Sequence, residues 1–193
     1  MMVQFTNFAD QGVILPMIVL VAAALVIADW PRAAITWICV VPATLGGVLV
    51  GKMFVSACGR QLPHDWLLHS PSGHTASAAV VYGGLVALVV PIGRRGGMVL
   101  ASALIAAALF GFSRLYLGVH TVADVIAGGL IGVAGASILV RMAGERPRRL
   151  SHLRMIGLAL AAGVFLFHGS QLHAEGWVSS HAPEFWPFTM CGR

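Results

Sequence analysis

His120 and Asp124 stand four residues apart, and Arg114 precedes His120 by six. In a helix, positions i and i+4 share a face, so the Asp124 carboxylate can accept a hydrogen bond from one nitrogen of the His120 ring. That bond would fix the tautomer and leave the other nitrogen to attack an electrophile or take a proton. A lone His–Asp pair is more often structural. Arg114, following Ser113, adds fixed positive charge and turns the balance toward chemistry on an anion. A second group lies upstream: Lys52, Arg60 and the tetrapeptide Pro71-Ser72-Gly73-His74, which opens a long apolar stretch. Free backbone N–H groups and the positive end of the dipole at such a helix start favour an anion, and Gly73 lets the backbone come close. Ser-Gly before a helix is equally an ordinary cap, and both readings stand at this point.

The elements that must position these groups are apolar helices. Of 193 residues, 58% are hydrophobic and 10% charged, against about a quarter charged in ordinary globular domains. Uncharged runs at 12–28, 33–51, 75–93, 96–113, 121–140 and 155–171 predict an all-α, polytopic bundle of six transmembrane helices forming one domain over 1–193. The fifth run reaches spanning length only if its helix starts near Thr121, which carries Asp124 into the first turn. The sixth has a short apolar core diluted by His168 and His173, so an interfacial helix is its alternative. Gly128 and Gly132, four apart in the fifth run, fit close helix packing. The amino end has no Lys or Arg, hence no charged n-region of a cleaved signal, and the first run is read as a permanent span.

The net charge of +5 is distributed as a topology signal, not as a nucleic-acid footprint. With six spans, Arg32, Arg94, Arg95, Arg141, Arg146, Arg148, Arg149 and Arg154 share one side, and Lys52, Arg60, Arg114 and Arg193 share the other. Eight against four makes the first side cytoplasmic. The chemical cluster and both termini then face outward. Cys39 is expected as an inert packing residue within the second span. Cys58 and Cys191 both fall on the outer side, where a bridge and free thiols are both compatible with the sequence. Trp30, Trp66, Trp177, Trp186 and Tyr116 lie near span ends, as interfacial belt residues do.

Pro71-Ser72-Gly73-His74, together with Ser113-Arg114, His120 and Asp124, resembles the second and third signatures of the type 2 phosphatidic acid phosphatase (PAP2) superfamily. Six spans resemble its membrane lipid phosphatase branch. The resemblance implies that His120 attacks phosphorus to form a phosphohistidine, Asp124 orients its ring, and His74 protonates the departing oxygen. It further implies that Lys52, Arg60, Ser72, Gly73 and Arg114 hold the phosphate, with neither metal nor cofactor. One departure concerns the first signature, a Lys followed after six residues by Arg-Pro. Here Lys52 is followed after seven by Arg60 and then Gln61-Leu62-Pro63. The extra residue rotates a helical side chain by about 100°, so both reach one phosphate only if the segment is bulged or bent.

The expected function is hydrolysis of a lipid phosphate or pyrophosphate on the outer face of a bacterial inner membrane. Undecaprenyl pyrophosphate is the favoured substrate, and phosphatidic acid, phosphatidylglycerol phosphate and the phosphates of lipid A are alternatives. Two other classes compete: a transporter relaying protons or anions through Arg114, His120 and Asp124, and a catalytically silent binder of lipid phosphate. The remaining histidines, His64, His69, His152, His168, His173 and His181, form no compact ligand pattern. Nucleic acid is not an expected partner, and the oligomeric state is not readable.

Overall fold

A computed structural model of the chain describes residues 2–58, 68–145, 151–170 and 181. Among them every regular element is helical: α1 (Met2–Thr6), a 3-10 turn (Asn7–Ala9), α2 (Gln11–Ile27), α3 (Pro31–Cys58), α4 (Gly73–Val89), α5 (Ile92–Tyr116), α6 (Val122–Met142) and α7 (Ser151–Phe167). Helices α2 to α7 overlie the six apolar runs. Three of them, α3, α5 and α6, are long and apolar enough to cross a membrane. A fourth such span results if α1, the turn and α2, bent by 41°, are taken together. Helices α4 and α7 are shorter, at 17 residues each.

Boundaries differ where polar residues prolong a helix beyond its apolar run. Helix α3 continues past Gly51 through Lys52 to Cys58. Lys52 is therefore a helical residue, not the first residue of a loop. The segment Lys52-Met53-Phe54-Val55-Ser56-Ala57 contains no breaker, and a long Lys stem lies along apolar surface while its ammonium reaches a polar partner. Helix α5 likewise begins at Ile92 and takes in Arg94 and Arg95, both expected in a loop.

Helix α4 sits at the centre, packed against α3, α5 and α6, while α2 pairs with α7 and leans on α3. Accordingly α4 is buried on all sides, through Ala76, Ala78, Ala79, Val80, Val81, Ala87 and Leu88. The outer faces expose Val19, Ile35, Leu104, Ile105, Leu130 and Phe165, an apolar surface suited to acyl chains. Close approach of α6 to α4 depends on small residues: a Cβ on Gly128 would strike the Ser72 backbone, and one on Gly132 the carbonyl of Ala76. The backbone just before α4 thereby lies directly on α6.

At the end of the bundle where α4 and α6 finish, four donors meet carbonyls that a helix end leaves without partners. Arg95, 5% exposed, donates to the Ala87 and Gly144 carbonyls and stacks over Trp30 at 5.6 Å from the ring centroid. Trp30 Nε1 donates to Ala143 O at 3.1 Å, and Arg32 Nε to Met142 O at 3.0 Å. Trp30 is thus a buried tie between helices instead of a belt residue, whereas Tyr116 is exposed. Cys39 is free and exposed on α3, not packed in the core, because its helix face turns outward. Cys58 is disulfide-bonded. Cys191, Arg60, Trp66, Trp177 and Trp186 lie outside the described residues.

Candidate active site

The opposite end of the bundle gathers the starts of α2, α4 and α6 with the finishes of α3 and α5. Helix α5 stops in a Schellman closure: Val119 N donates to Arg114 O at 3.2 Å and Gly118 N to Leu115 O at 3.0 Å. Gly118 takes φ +67°, a left-handed conformation that a Cβ disfavours, and so redirects the chain toward His120. Arg114 belongs to the last turn of α5.

Helix α6 then begins with a capping box. Thr121 Oγ1 accepts from Asp124 N at 3.2 Å, and Asp124 Oδ2 accepts from Thr121 N at 3.0 Å. His120 precedes this cap and lies outside the helix, so the pair does not arise from a shared helical face. It arises because the cap turns the carboxylate back over the entering chain: His120 Nδ1 lies 3.4 Å from Asp124 Oδ2. With Nδ1–H donating to the carboxylate, Nε2 carries the lone pair.

Asp124 is 1% exposed, and its second oxygen is as fully engaged as the first. Oδ1 accepts from the backbone N–H groups of His69 and Ser70, each at 2.8 Å. The Asp124 carbonyl also accepts from Ser72 N at 2.9 Å. A buried carboxylate without such donors would be strongly disfavoured; here three backbone donors and one ring nitrogen replace its water. The close contact at Gly128 makes this possible, since it brings 69–72 onto the first turn of α6.

Lys52 Nζ donates to Ser70 Oγ at 3.0 Å, and its stem would touch a Cβ on Gly73 at 3.7 Å. Lys52, Ser70, Asp124 and His120 thus form a continuous polar chain. Ser72 is fully buried, and its hydroxyl oxygen accepts from Thr75 N at 3.4 Å and from Thr75 Oγ1 at 2.9 Å, capping α4. Gly73 and His74 follow in the first turn, where N–H groups have no helical acceptor.

His74 turns toward an element that no local pattern associates with it. Its Nε2 lies 3.4 Å from Oδ2 of Asp10. Asp10 is 6% exposed and caps α2 by accepting from Gly12 N at 2.8 Å. The amino-terminal segment is held there by α4 and α5. Ser77 Oγ donates to Ala9 O at 2.8 Å and Tyr82 Oη to Phe8 O at 3.1 Å, while Phe5 stacks on Phe110. The structure therefore assembles His120, Asp124, Lys52, Ser72, Gly73 and His74 at one end, with Arg114 in the adjoining turn. Ser70, His69 and Asp10 join the site through contacts that sequence reasoning did not assign, His69 reading only as a loop residue that could line it. The first two act through backbone or hydroxyl groups that residue type does not announce, and Asp10 lies 64 positions before His74. Among the described residues no three His, Cys, Asp or Glu side chains gather as a metal-binding group.

Residues 53–148 match the family model described as the PAP2 superfamily. The chain is 38% identical over 76 residues to phosphatidylglycerophosphatase B of Bacillus subtilis (strain 168), a stretch covering 37% of this chain and 37% of that protein. The chain thus aligns with little more than a third of that relative's length. No solved structure matches. The family match takes in the α4 start, the Arg114 turn and the His120–Asp124 pair, and through these residues the chain belongs to the PAP2 superfamily.

Proposed function

We propose that the protein is a membrane lipid phosphatase that works through a phosphohistidine on His120, without a metal. The observation that carries this reading is the His120–Asp124 pair, in which a carboxylate held by three backbone N–H groups fixes the ring with Nε2 available for attack. Phosphoryl transfer demands positioning and countercharge more than covalent assistance. Lys52, Arg60 and Arg114 supply countercharge, and the first-turn N–H groups of α4 supply donors. Packing does not require a glycine at position 73, since a Cβ there meets only the Lys52 stem and Gln11 at ordinary contact distance. This supports a role in letting phosphate approach the backbone.

His120 Nε2 attacks phosphorus while His74 gives a proton to the departing oxygen. Water, deprotonated by the now neutral His74, then cleaves the P–N bond and releases phosphate. All six long helices span in this reading, α4 and α7 as short spans, with the site on the extracytoplasmic face of a bacterial inner membrane. The favoured substrate is undecaprenyl pyrophosphate, a carrier lipid that presents its phosphates on that face. The similarity to a protein named phosphatidylglycerophosphatase B favours phosphatidylglycerol phosphate as a second reading.

Purified protein in detergent with EDTA, offered undecaprenyl pyrophosphate, phosphatidylglycerol phosphate and phosphatidic acid, tests this directly. Phosphate release by the wild type that vanishes in His120→Ala is expected, and the relative rates rank the substrates. Release that survives the substitution, or that stops with EDTA, overturns the mechanism.

A further inference from the structure

We infer that Asp10 is a positioning residue for His74, and that the site is built from two His–Asp pairs: His120 with Asp124, and His74 with Asp10. This inference rests on the phosphatase reading and deepens it, because it assigns the amino-terminal segment to the acid half of the reaction.

Three observations meet at Asp10. Its Oδ2 lies 3.4 Å from His74 Nε2. The carboxylate is 6% exposed, a setting in which an ionised group needs partners. Its other oxygen accepts from Gly12 N at 2.8 Å, so the side chain cannot rotate away without uncapping α2. The segment that carries it is anchored on α4 itself through the Ser77 and Tyr82 hydrogen bonds to the Ala9 and Phe8 carbonyls. Anchoring and pairing thus involve the same helix, and the Asp10 carboxylate keeps its register with the ring.

The pairing fixes which nitrogen does which job. With Nε2–H donating to Asp10, Nδ1 is the nitrogen that delivers the proton. As the P–O bond of the substrate breaks, the electron pair goes to the leaving oxygen, which takes the Nδ1 proton. His74 ends neutral, still holding Nε2–H toward Asp10. In the second step Nδ1 takes a proton from the attacking water, the P–N bond breaks and its electron pair returns to His120. The negative carboxylate stabilises the imidazolium that begins the first step and re-forms in the second. Among the described residues, the other charged groups at this end are Lys52 on α3, Arg114 on α5 and Asp124 on α6. Lys52 lies near the start of α4 and disfavours an imidazolium there, which gives Asp10 an opposing charge to offset.

The test compares Asp10→Asn with the wild type on two phosphate monoesters of unequal leaving group, p-nitrophenyl phosphate and a long-chain alkyl phosphate. Asn retains the capping oxygen for α2 but lacks the charge. The expected result is a fall of about tenfold or more in kcat on the alkyl ester, with KM held, while p-nitrophenyl phosphate, whose leaving group needs no proton, changes by less than about threefold. Asp10→Glu recovers part of the loss on the alkyl ester. Equal losses on both esters would assign Asp10 a purely structural role and overturn the inference, as would no loss on either. His120→Ala is run alongside: if it leaves either ester turning over, the phosphohistidine reading itself has failed, independently of Asp10.

Discussion

Both ends of the bundle bury cations, yet they bury them for opposite partners. Where α4 and α6 finish, Arg95, Arg32 and Trp30 are directed at carbonyl oxygens of Ala87, Gly144, Met142 and Ala143, the groups a helix end leaves exposed. Where those same helices begin, the orphans are N–H groups, and the cations Lys52 and Arg114 stand at the same end, with Lys52 donating to Ser70 Oγ. The carboxylates described at that end, Asp124 and Asp10, accept from backbone N–H groups and pair with histidines. The helix dipole thus gives one end a clamp of cations on carbonyls and the other a field that favours an anion, as the proposed function requires. The difference teaches that the sign of the backbone ends, more than the number of charged residues, separates structure from chemistry here.

This contrast can be broken by substitution. The largest effect is expected for His120→Ala: phosphate release should fall by at least about 10³-fold, because no nucleophile remains, with the circular dichroism melt close to wild type. His74→Ala comes next. A loss of about 10² to 10⁴-fold on alkyl phosphates is expected, together with disappearance of the alkaline limb of a bell-shaped kcat/KM profile. The limb is lost because His74 must start protonated, so activity in the wild type declines as pH rises and the proton leaves.

Arg95→Met probes the clamp. It removes the donors to two carbonyls and the stacking on Trp30, and should destabilise by about 2–4 kcal/mol in a detergent melt while leaving the turnover of folded protein within about twofold. If turnover collapses without a drop in melting temperature, the separation of the two ends is wrong. The smallest effect should come from Thr121→Ala, which deletes one half of the capping box at a cost of about 1 kcal/mol. Because Asp124 keeps its His69 and Ser70 donors, catalysis should drop only severalfold, in kcat more than in KM.

Much of this architecture was legible in the residues themselves. Apolar runs placed six helices, since every residue inside a bilayer must satisfy its backbone locally. Thr121 followed by Asp124 placed the start of α6, and the Gly128–Gly132 spacing indicated its packing. His120 and Asp124 do approach each other, although through a cap and not along a helix face. What stayed hidden was of two kinds. Helix α3 ran through Lys52 because a single charge near a span end costs little once its ammonium finds Ser70. The donors to Asp124 and the approach of Asp10 to His74 stayed hidden because they join segments about 55 and 64 positions apart, which no local pattern encodes. The amino-terminal segment, in which the sequence singled out no functional residue, is packed on α4 and α5.

The Asp124 carboxylate has a consequence in time as well as in space. It joins 69 and 70 to 120 and 121, so it cannot take its place until the chain has been made through α6 and that helix has docked on α4. A growing chain that has released only α4 already carries His74 and Lys52, but the segment before α4 has nothing to close upon. Under the proposed mechanism, competence to form the phosphoenzyme therefore arrives late and all at once during synthesis, and a chain without a docked α6 lacks the carboxylate that orients the His120 ring.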